Sequence, residues 1–261
     1  MNNVNKTLYI PLYGKSYVSK KGVFIDDKKA EEIWEQEGFA LKGKSKSKWL
    51  AYYMGIRSAV FDEWTKAQLA DSPSAVVLHI GCGMDSRVLR VDAKTHPWYD
   101  VDFPDVITER ERYYTQTESY QMRAGDIRTD EWLHAIPRAE HAVIIMEGVS
   151  MYLTLDDLRR LIGNLSKHFT KISLLTDCYS VLAAKLSKHK NPVNDVGVTL
   201  VHGLDDPKAL ELDAFTFVEE HDMTPNRYVE QLQGMERRIF KKLYAGKFAK
   251  KLYRLWEYKK D

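Results

Sequence analysis

Cysteine is scarce: two thiols, Cys82 and Cys178, stand in 261 residues. They are too few for a disulfide framework, and neither belongs to a CxxC pair or a Cys/His array with zinc-ligand spacing. A reduced, cytoplasmic setting without a structural metal is the expectation. Charge of one sign is also lacking, with 39 Lys plus Arg against 37 Asp plus Glu and a formal net charge of +2. No global field therefore argues for a nucleic-acid or membrane partner, and local basic clusters are judged separately. No segment approaches the ~18 to 20 apolar residues that span a bilayer. The opening "MNNVNKTLYIPLYGK" has no charged region followed by a long apolar stretch, so it reads as soluble and unprocessed. Repeats are absent, low complexity is confined to "KGKSKSK" at residues 42 to 48, and nothing specifies an oligomeric state.

What is present is core-forming material: 44% hydrophobic residues, with 15 Tyr, 9 Phe and 6 Trp, enough for one domain with a cap. Ala30, Ile33 and Trp34 recur at helical spacing, and Trp49, Tyr53, Ile56, Val60 and Trp64 make a second stripe. Residues 1–70 thus read as an N-terminal helical cap and 71–261 as the main domain. After "DSPS" the pattern turns to short strand runs at 75–80, 98–102, 120–124, 142–146 and 171–176, with helical segments between them. "FTFVEE" is a candidate sixth strand, residues 226–244 a helix, and "KKLYRLWEYKK" a closing antiparallel strand. The fold class is α/β, a doubly wound, mostly parallel seven-stranded Rossmann-like sheet with a late antiparallel strand. Thr154 and Asp157 form a capping-box pattern ahead of an apolar helix face.

In such a sheet the ligand lies outside the carboxyl ends of the strands. Those positions hold Gly81, Asp102, Asp126 and Glu147, about one strand plus one helix apart. Asp102 is placed to accept hydrogen bonds from both ribose hydroxyls of an adenosine cofactor, Asp126 to take an adenine amino group, and Glu147 to face a cation. Each of these acids, taken alone, is equally a helix cap or a surface carboxylate.

"VVLHIGCGMDSRVLRV", residues 76 to 91, places a strand ahead of G-x-G. A dinucleotide fingerprint needs a third glycine where this chain has Ser86. S-adenosylmethionine has no phosphate and needs close backbone approach, a cation for its carboxylate and an anion near its ammonium and sulfonium. Arg57 and Lys15 are candidates for the cation and Glu147 for the anion.

"LHIGCGMDSRVLRV", "WYDVDFPDVI", "AGDI" and "MEGVSMYL", in that order, resemble the leucine carboxyl methyltransferase family, which includes protein phosphatase carboxyl methyltransferases and bacterial polyketide O-methyltransferases. The resemblance implies a class I S-adenosylmethionine-dependent O-methyltransferase with its cofactor domain at 71–261. It also implies that Lys15 and Arg57 hold the cofactor carboxylate, Gly81 lies under the methionine moiety, Asp102 binds ribose, Asp126 and Ile127 bind adenine, and Glu147 binds the amino group. Gly83 and Phe103 complete the cofactor-binding set. Asp85 and Arg87 also match the motif and read as a helix-start cap and an ion-pair partner.

A sulfonium makes its methyl group electrophilic already, so the protein mainly aligns acceptor oxygen, carbon and sulfur and excludes water. A carboxylate acceptor needs no base, while a phenol near pKa ~10 gains from one. Tyr152, the candidate catalytic residue, stands between substrate contact and plain packing, and Asp177 and Tyr179 sit where an acceptor should approach. His202 is a base or a structural loop histidine, and Cys82 a small residue beside the cofactor. "KGKSKSK" and the lysines of 241–251 are solvated basic segments, or, for the first, a lid or a recruiter of acidic substrate. The expected partner is a small-molecule acceptor. The alternatives are an NAD(P)-dependent reductase, against which stand Ser86 and the absence of a Tyr-x-x-x-Lys pair, and a non-catalytic S-adenosylmethionine-binding module.

Overall fold

Each apolar run bounded by turn residues is a strand in the computed structural model, which describes residues 8–37, 46–93, 95–190 and 200–261. These are β1 (Val76–Ile80), β2 (Trp98–Asp102), β3 (Tyr120–Ala124), β4 (His141–Met146), β5 (Lys171–Tyr179), β6 (Phe215–His221) and β7 (Tyr253–Lys260). They form one sheet in the order β3-β2-β1-β4-β5-β7-β6. Neighbours from β3 to β5 run parallel, and β7 lies antiparallel between β5 and β6. The order reverses between β1 and β4, which makes the crevice above them the switch point where ligands settle in open α/β sheets.

Both faces of the sheet are covered, so strand residues alternate between two apolar layers rather than between core and solvent. Val76, Leu78, Ile144 and Leu174 pack with Leu158, Leu161 and Leu165 of α6 (Leu155–His168). Val77, Val143, Leu175 and Leu255 face the other way, into a cluster shared with Leu12, Ile56 and Phe61. The last two belong to α3 (Lys48–Asp71), and α1 (Tyr9–Lys21) and α2 (Lys28–Glu37) lie beyond. By the same alternation His79, Asp100 and Asp177 point into that second layer, and all three are buried. Thr154 and Asp157 do form a reciprocal capping box at the start of α6.

One helix has no marker of its own in the sequence, and one expectation needs revision. Residues 9–21 carry no helical stripe, yet α1 is a helix; Ile10, Leu12, Gly14, Lys15 and Ser16 are all buried, so its faces are covered nearly all round and no amphipathic pattern remains. The helix expected over 226–244 breaks into α8 (Asn226–Val229) and α9 (Gly234–Leu243). Gly234 sits at the break with φ +53°, a left-handed conformation that glycine takes at little cost. The short helices α4 (Arg87–Arg90), α5 (Pro104–Arg110) and α10 (Lys247–Lys250), together with α7 (Val181–Lys190), complete the chain. Residues 42–45 of "KGKSKSK" lie outside the described residues.

Candidate active site

The G-x-G turn leaves β1 through two glycines in left-handed conformations, Gly81 at φ +67° and Gly83 at φ +50°. A Cβ on Gly81 would stand 2.2 Å from Val149 Cγ2. The Val149 side chain fills the space that a Cβ would take, so only glycine lets the turn after β1 pack this closely against the turn after β4. Arg110 braces it from below, donating to the Gly83 carbonyl at 3.0 Å while also pairing with Asp100. Tyr114 donates to the Met84 carbonyl at 3.1 Å.

Beside the turn, Asp102 at the end of β2 accepts the Gly83 N–H on Oδ2 and the Phe103 N–H on Oδ1, each at 2.8 Å. Each oxygen keeps a lone pair for one more donor. Burial outweighs these hydrogen bonds and pushes the carboxyl up to about 6. Further along, Asp126 takes the Arg128 backbone N–H at 3.0 Å and its Nε at 2.9 Å, and the guanidinium holds its carboxyl below the usual range. Ile127 beside it is buried.

At the other end Glu147, one residue past β4, lies among three cations. Arg57 Nη2 is 2.9 Å and Lys15 Nζ 3.6 Å from Oε1, and Arg87 donates to Oε2. Burial opposes ionisation, but Lys15, Arg57 and Arg87 outweigh it and hold the carboxyl well below its ordinary value. Lys15 also pairs with Asp85 at 2.8 Å. Behind them Arg87 and Arg90 share Asp62, at 2.7 and 2.6 Å. On α3 the polar side chains Arg57, Ser58, Asp62 and Thr65 are all buried among the apolar ones. Polar residues that fall in line with the apolar stripe of Ile56, Val60 and Trp64 are the signal by which this network could have been found.

One cavity of about 410 Å³ joins these parts, within the range of ligand sites. Lys15, Arg57, Gly81, Gly83, Asp102, Phe103, Asp126, Ile127, Glu147 and Tyr152 all line it. Apolar and aromatic side chains, among them Leu50, Tyr53, Met54, Tyr179 and Tyr253, line much of the rest. Tyr53 and Tyr253 are stacked at 6.1 Å, and Tyr179 meets Tyr253 edge-on at 4.8 Å. No motif points to Tyr253, which arrives from the antiparallel β7.

Two readings of single residues change. Asp85 does not cap α4, whose start has no side-chain cap; it ion-pairs with Lys15 and with Arg90, each at 2.8 Å. Asp177 cannot meet an acceptor, because it is fully buried and accepts hydrogen bonds from Arg57 at 3.0 Å, Tyr253 and the Gly148 N–H. His202 lies half-buried in a small side pocket with Ser150 and Tyr179. Burial raises the Cys82 thiol, which suits a small packed residue beside the turn. Among the described residues one metal-capable group, Glu219, His221 and Glu257, lies on β6 and β7 away from the cavity lining.

The sequence profile of the leucine carboxyl methyltransferase family matches residues 7–166, a span that holds the candidate residues from Lys15 to Tyr152. The chain belongs to the leucine carboxyl methyltransferase family. It is an S-adenosylmethionine-dependent methyltransferase. Over 185 residues it is 31% identical to the tetracenomycin polyketide synthesis O-methyltransferase TcmP of Streptomyces glaucescens, covering 70% of this chain and 68% of that one. Over 183 residues it is 26% identical to the S-adenosyl-L-methionine-dependent methyltransferase dpfgK of Gibberella zeae, covering 64% and 61%. The fold is similar to that of magnesium protoporphyrin IX methyltransferase from Synechocystis PCC 6803, with a TM-score of 0.53, 11% identity and coverage of 95% of this chain and 100% of that one. The site of this family member fits the cofactor on its own chemistry: a turn with glycine at 81 and 83, a carboxylate with free lone pairs at Asp102, and mixed charge at the Glu147 end. No helix among the described residues is long and apolar enough to cross a membrane.

Proposed function

We propose that this methyltransferase acts on an oxygen, carboxylate or hydroxyl, of a small molecule, with residues 1–70 serving as a cap over the cofactor-binding domain of 71–261. The observation that carries the reading is the cavity of about 410 Å³, which brings the charged and polar groups of the strand ends together with tyrosines and aliphatic side chains. S-adenosylmethionine would supply an activated methyl group there. Lys15 and Arg57 would hold its carboxylate, Glu147 its ammonium, Asp102 its ribose hydroxyls, and Asp126 with Ile127 its adenine, while Gly81, Gly83 and Phe103 would set the floor. The apolar wall would hold the acceptor and exclude water, which favours alignment over acid–base chemistry. The similarity to TcmP, an O-methyltransferase, supports an oxygen acceptor. Two buried, unpaired thiols support a reducing, cytoplasmic compartment.

The deciding experiment is calorimetric titration with S-adenosylmethionine, S-adenosylhomocysteine and NADH, followed by mass-spectrometric detection of methyl transfer to a panel of small carboxylic acids and phenols. Binding of the first two with turnover of a panel member is expected. Preference for NADH, or cofactor binding without any turnover, would sink the reading.

Tyr152 lines the cavity on the turn after β4 and is assigned to the acceptor. Tyr152→Phe should lower kcat/KM for the acceptor up to about tenfold, the worth of one hydrogen bond, with cofactor affinity unchanged. A loss confined to cofactor binding would remove that role.

Asp102 predicts a pH dependence. Its carboxyl titrates near 6 in the folded protein against ~3.9 unfolded. Between those values the folded state holds the extra proton, so stability from this group falls as pH rises. Ribose hydroxyls need the carboxylate, so cofactor affinity should be full above about 6 and decline below it. Calorimetry across that range checks this, and Asp102→Asn should be weak and flat; the same decline in the variant would assign it elsewhere.

A further inference from the structure

Outside the cavity, residues 235–251 carry seven basic side chains, Arg237, Arg238, Lys241, Lys242, Lys247, Lys250 and Lys251, and one acid, Glu236. All seven are exposed. Lys250 pairs with Asp222; the other six have no ion pair among the described residues. Glu236 is no counterweight, because Lys21 and Lys48 both hold it, at 3.0 and 2.9 Å. Among these cations three large apolar side chains stand in solvent: Met235 at 66% exposure, Leu243 at 61% and Phe248 at 64%. Met235, Arg238 and Lys242 follow at i, i+3 and i+7 on the side of α9 opposite the buried Phe240. The helix is thus anchored by one face and presents a basic, apolar-tipped face outward.

We propose that this α9–α10 face docks on an anionic lipid bilayer. Unpaired lysines supply attraction to an anionic surface, and protruding Phe248, Leu243 and Met235 supply groups that enter the boundary between headgroups and acyl chains. Composition separates this from a protein interface. Lysine is depleted and arginine enriched where proteins meet, and here five of the seven cations are lysine. The face also adjoins the cavity. Tyr244 stacks on Trp49 at 6.3 Å, next to the cavity-lining Leu50, and Tyr253 lines the cavity two residues past Lys251. Docking would therefore set the cavity close to the lipid boundary. The near-neutral charge of the whole chain does not suggest such a partner; it arises from local clustering.

The test is cosedimentation of the full chain with vesicles of phosphatidylcholine alone or mixed with phosphatidylglycerol, at low and high salt, beside a uridine oligonucleotide as a competing polyanion. Binding to mixed vesicles, at least about tenfold weaker to neutral ones and screened by salt, is expected. The double variant K241E/K242E should lose at least about thirtyfold in partition, and Phe248→Ser about tenfold, since a buried phenyl ring is lost. Both variants should keep wild-type S-adenosylmethionine affinity, which shows that they are folded. No binding to mixed vesicles, equal binding to both kinds, unchanged partition in both variants, or tighter binding of the oligonucleotide than of vesicles would each overturn the proposal.

Discussion

Glu147→Ala is expected to abolish measurable S-adenosylmethionine binding and to lower the unfolding free energy by about 3–5 kcal/mol, the cost of breaking a buried ion pair by removing one partner. The reason is local. Lys15, Arg57 and Arg87 are each nearly inaccessible and converge on this one carboxylate. Without it three like charges face one another in a medium that screens poorly. Asp85, Asp62 and Asp177 retain their own contacts with these cations, so the fold survives while the geometry at the methionine end is lost. Glu147→Gln keeps the volume and removes only the charge. It should remain folded, lose cofactor affinity by about a hundredfold or more, and shift the acid limb of stability. A carboxyl held below its ordinary value stabilises the fold above its unfolded pKa, and that contribution vanishes as pH falls through the folded value. Urea denaturation and calorimetry on the two variants check both parts. Wild-type affinity in Glu147→Gln would make the residue structural and detach the cofactor from this end of the cavity.

The positions at the ends of the strands could be read from the sequence because strand and helix lengths fix how often the chain returns to the same edge of the sheet. Gly81, Asp102, Asp126 and Glu147 are therefore found together with no knowledge of side-chain contacts. What surrounds them is legible only in three dimensions. Arg110 supports the Gly83 carbonyl from α5, and Asp62 reaches Arg87 and Arg90 from α3; each pairing joins segments whose separation follows no period. Tyr253 joins the cavity through β7, which is antiparallel, so it enters from the opposite chain direction to its neighbours. Asp177 shows the converse error. It stands at the right end of the right strand, but its carboxylate is taken up by Arg57, Tyr253 and the Gly148 N–H, which leaves it buried rather than open to the ligand. α1 was hidden by its own burial, since a helix covered on nearly all sides has no polar face to mark its period.

Gly81→Ala tests the floor of the cavity against a matched control in the same turn. At φ +67° an alanine costs about 1–2 kcal/mol from its Cβ alone, and that Cβ would lie 2.2 Å from Val149 Cγ2. Val149 cannot withdraw freely. It sits between Gly148, whose N–H is bound to Asp177 at 2.8 Å, and Ser150, whose hydroxyl donates to the Asp177 carbonyl. The turn carrying Glu147 and Tyr152 must therefore shift with it. Cofactor affinity should fall about a hundredfold, roughly 2.7 kcal/mol, with folding retained. Gly83→Ala provides the comparison, since at φ +50° its Cβ would meet Leu8 Cβ at 3.4 Å, an ordinary contact. It bears only the conformational cost and should lose no more than about tenfold. Adding Val149→Ala to Gly81→Ala removes the clashing methyl but not the left-handed strain, so the double variant should recover most of the difference between the two glycine variants. Calorimetric affinities of the four proteins decide it. Equal losses at Gly81 and Gly83, with no recovery from Val149→Ala, would mean that the close approach of the two turns does not shape the cofactor floor.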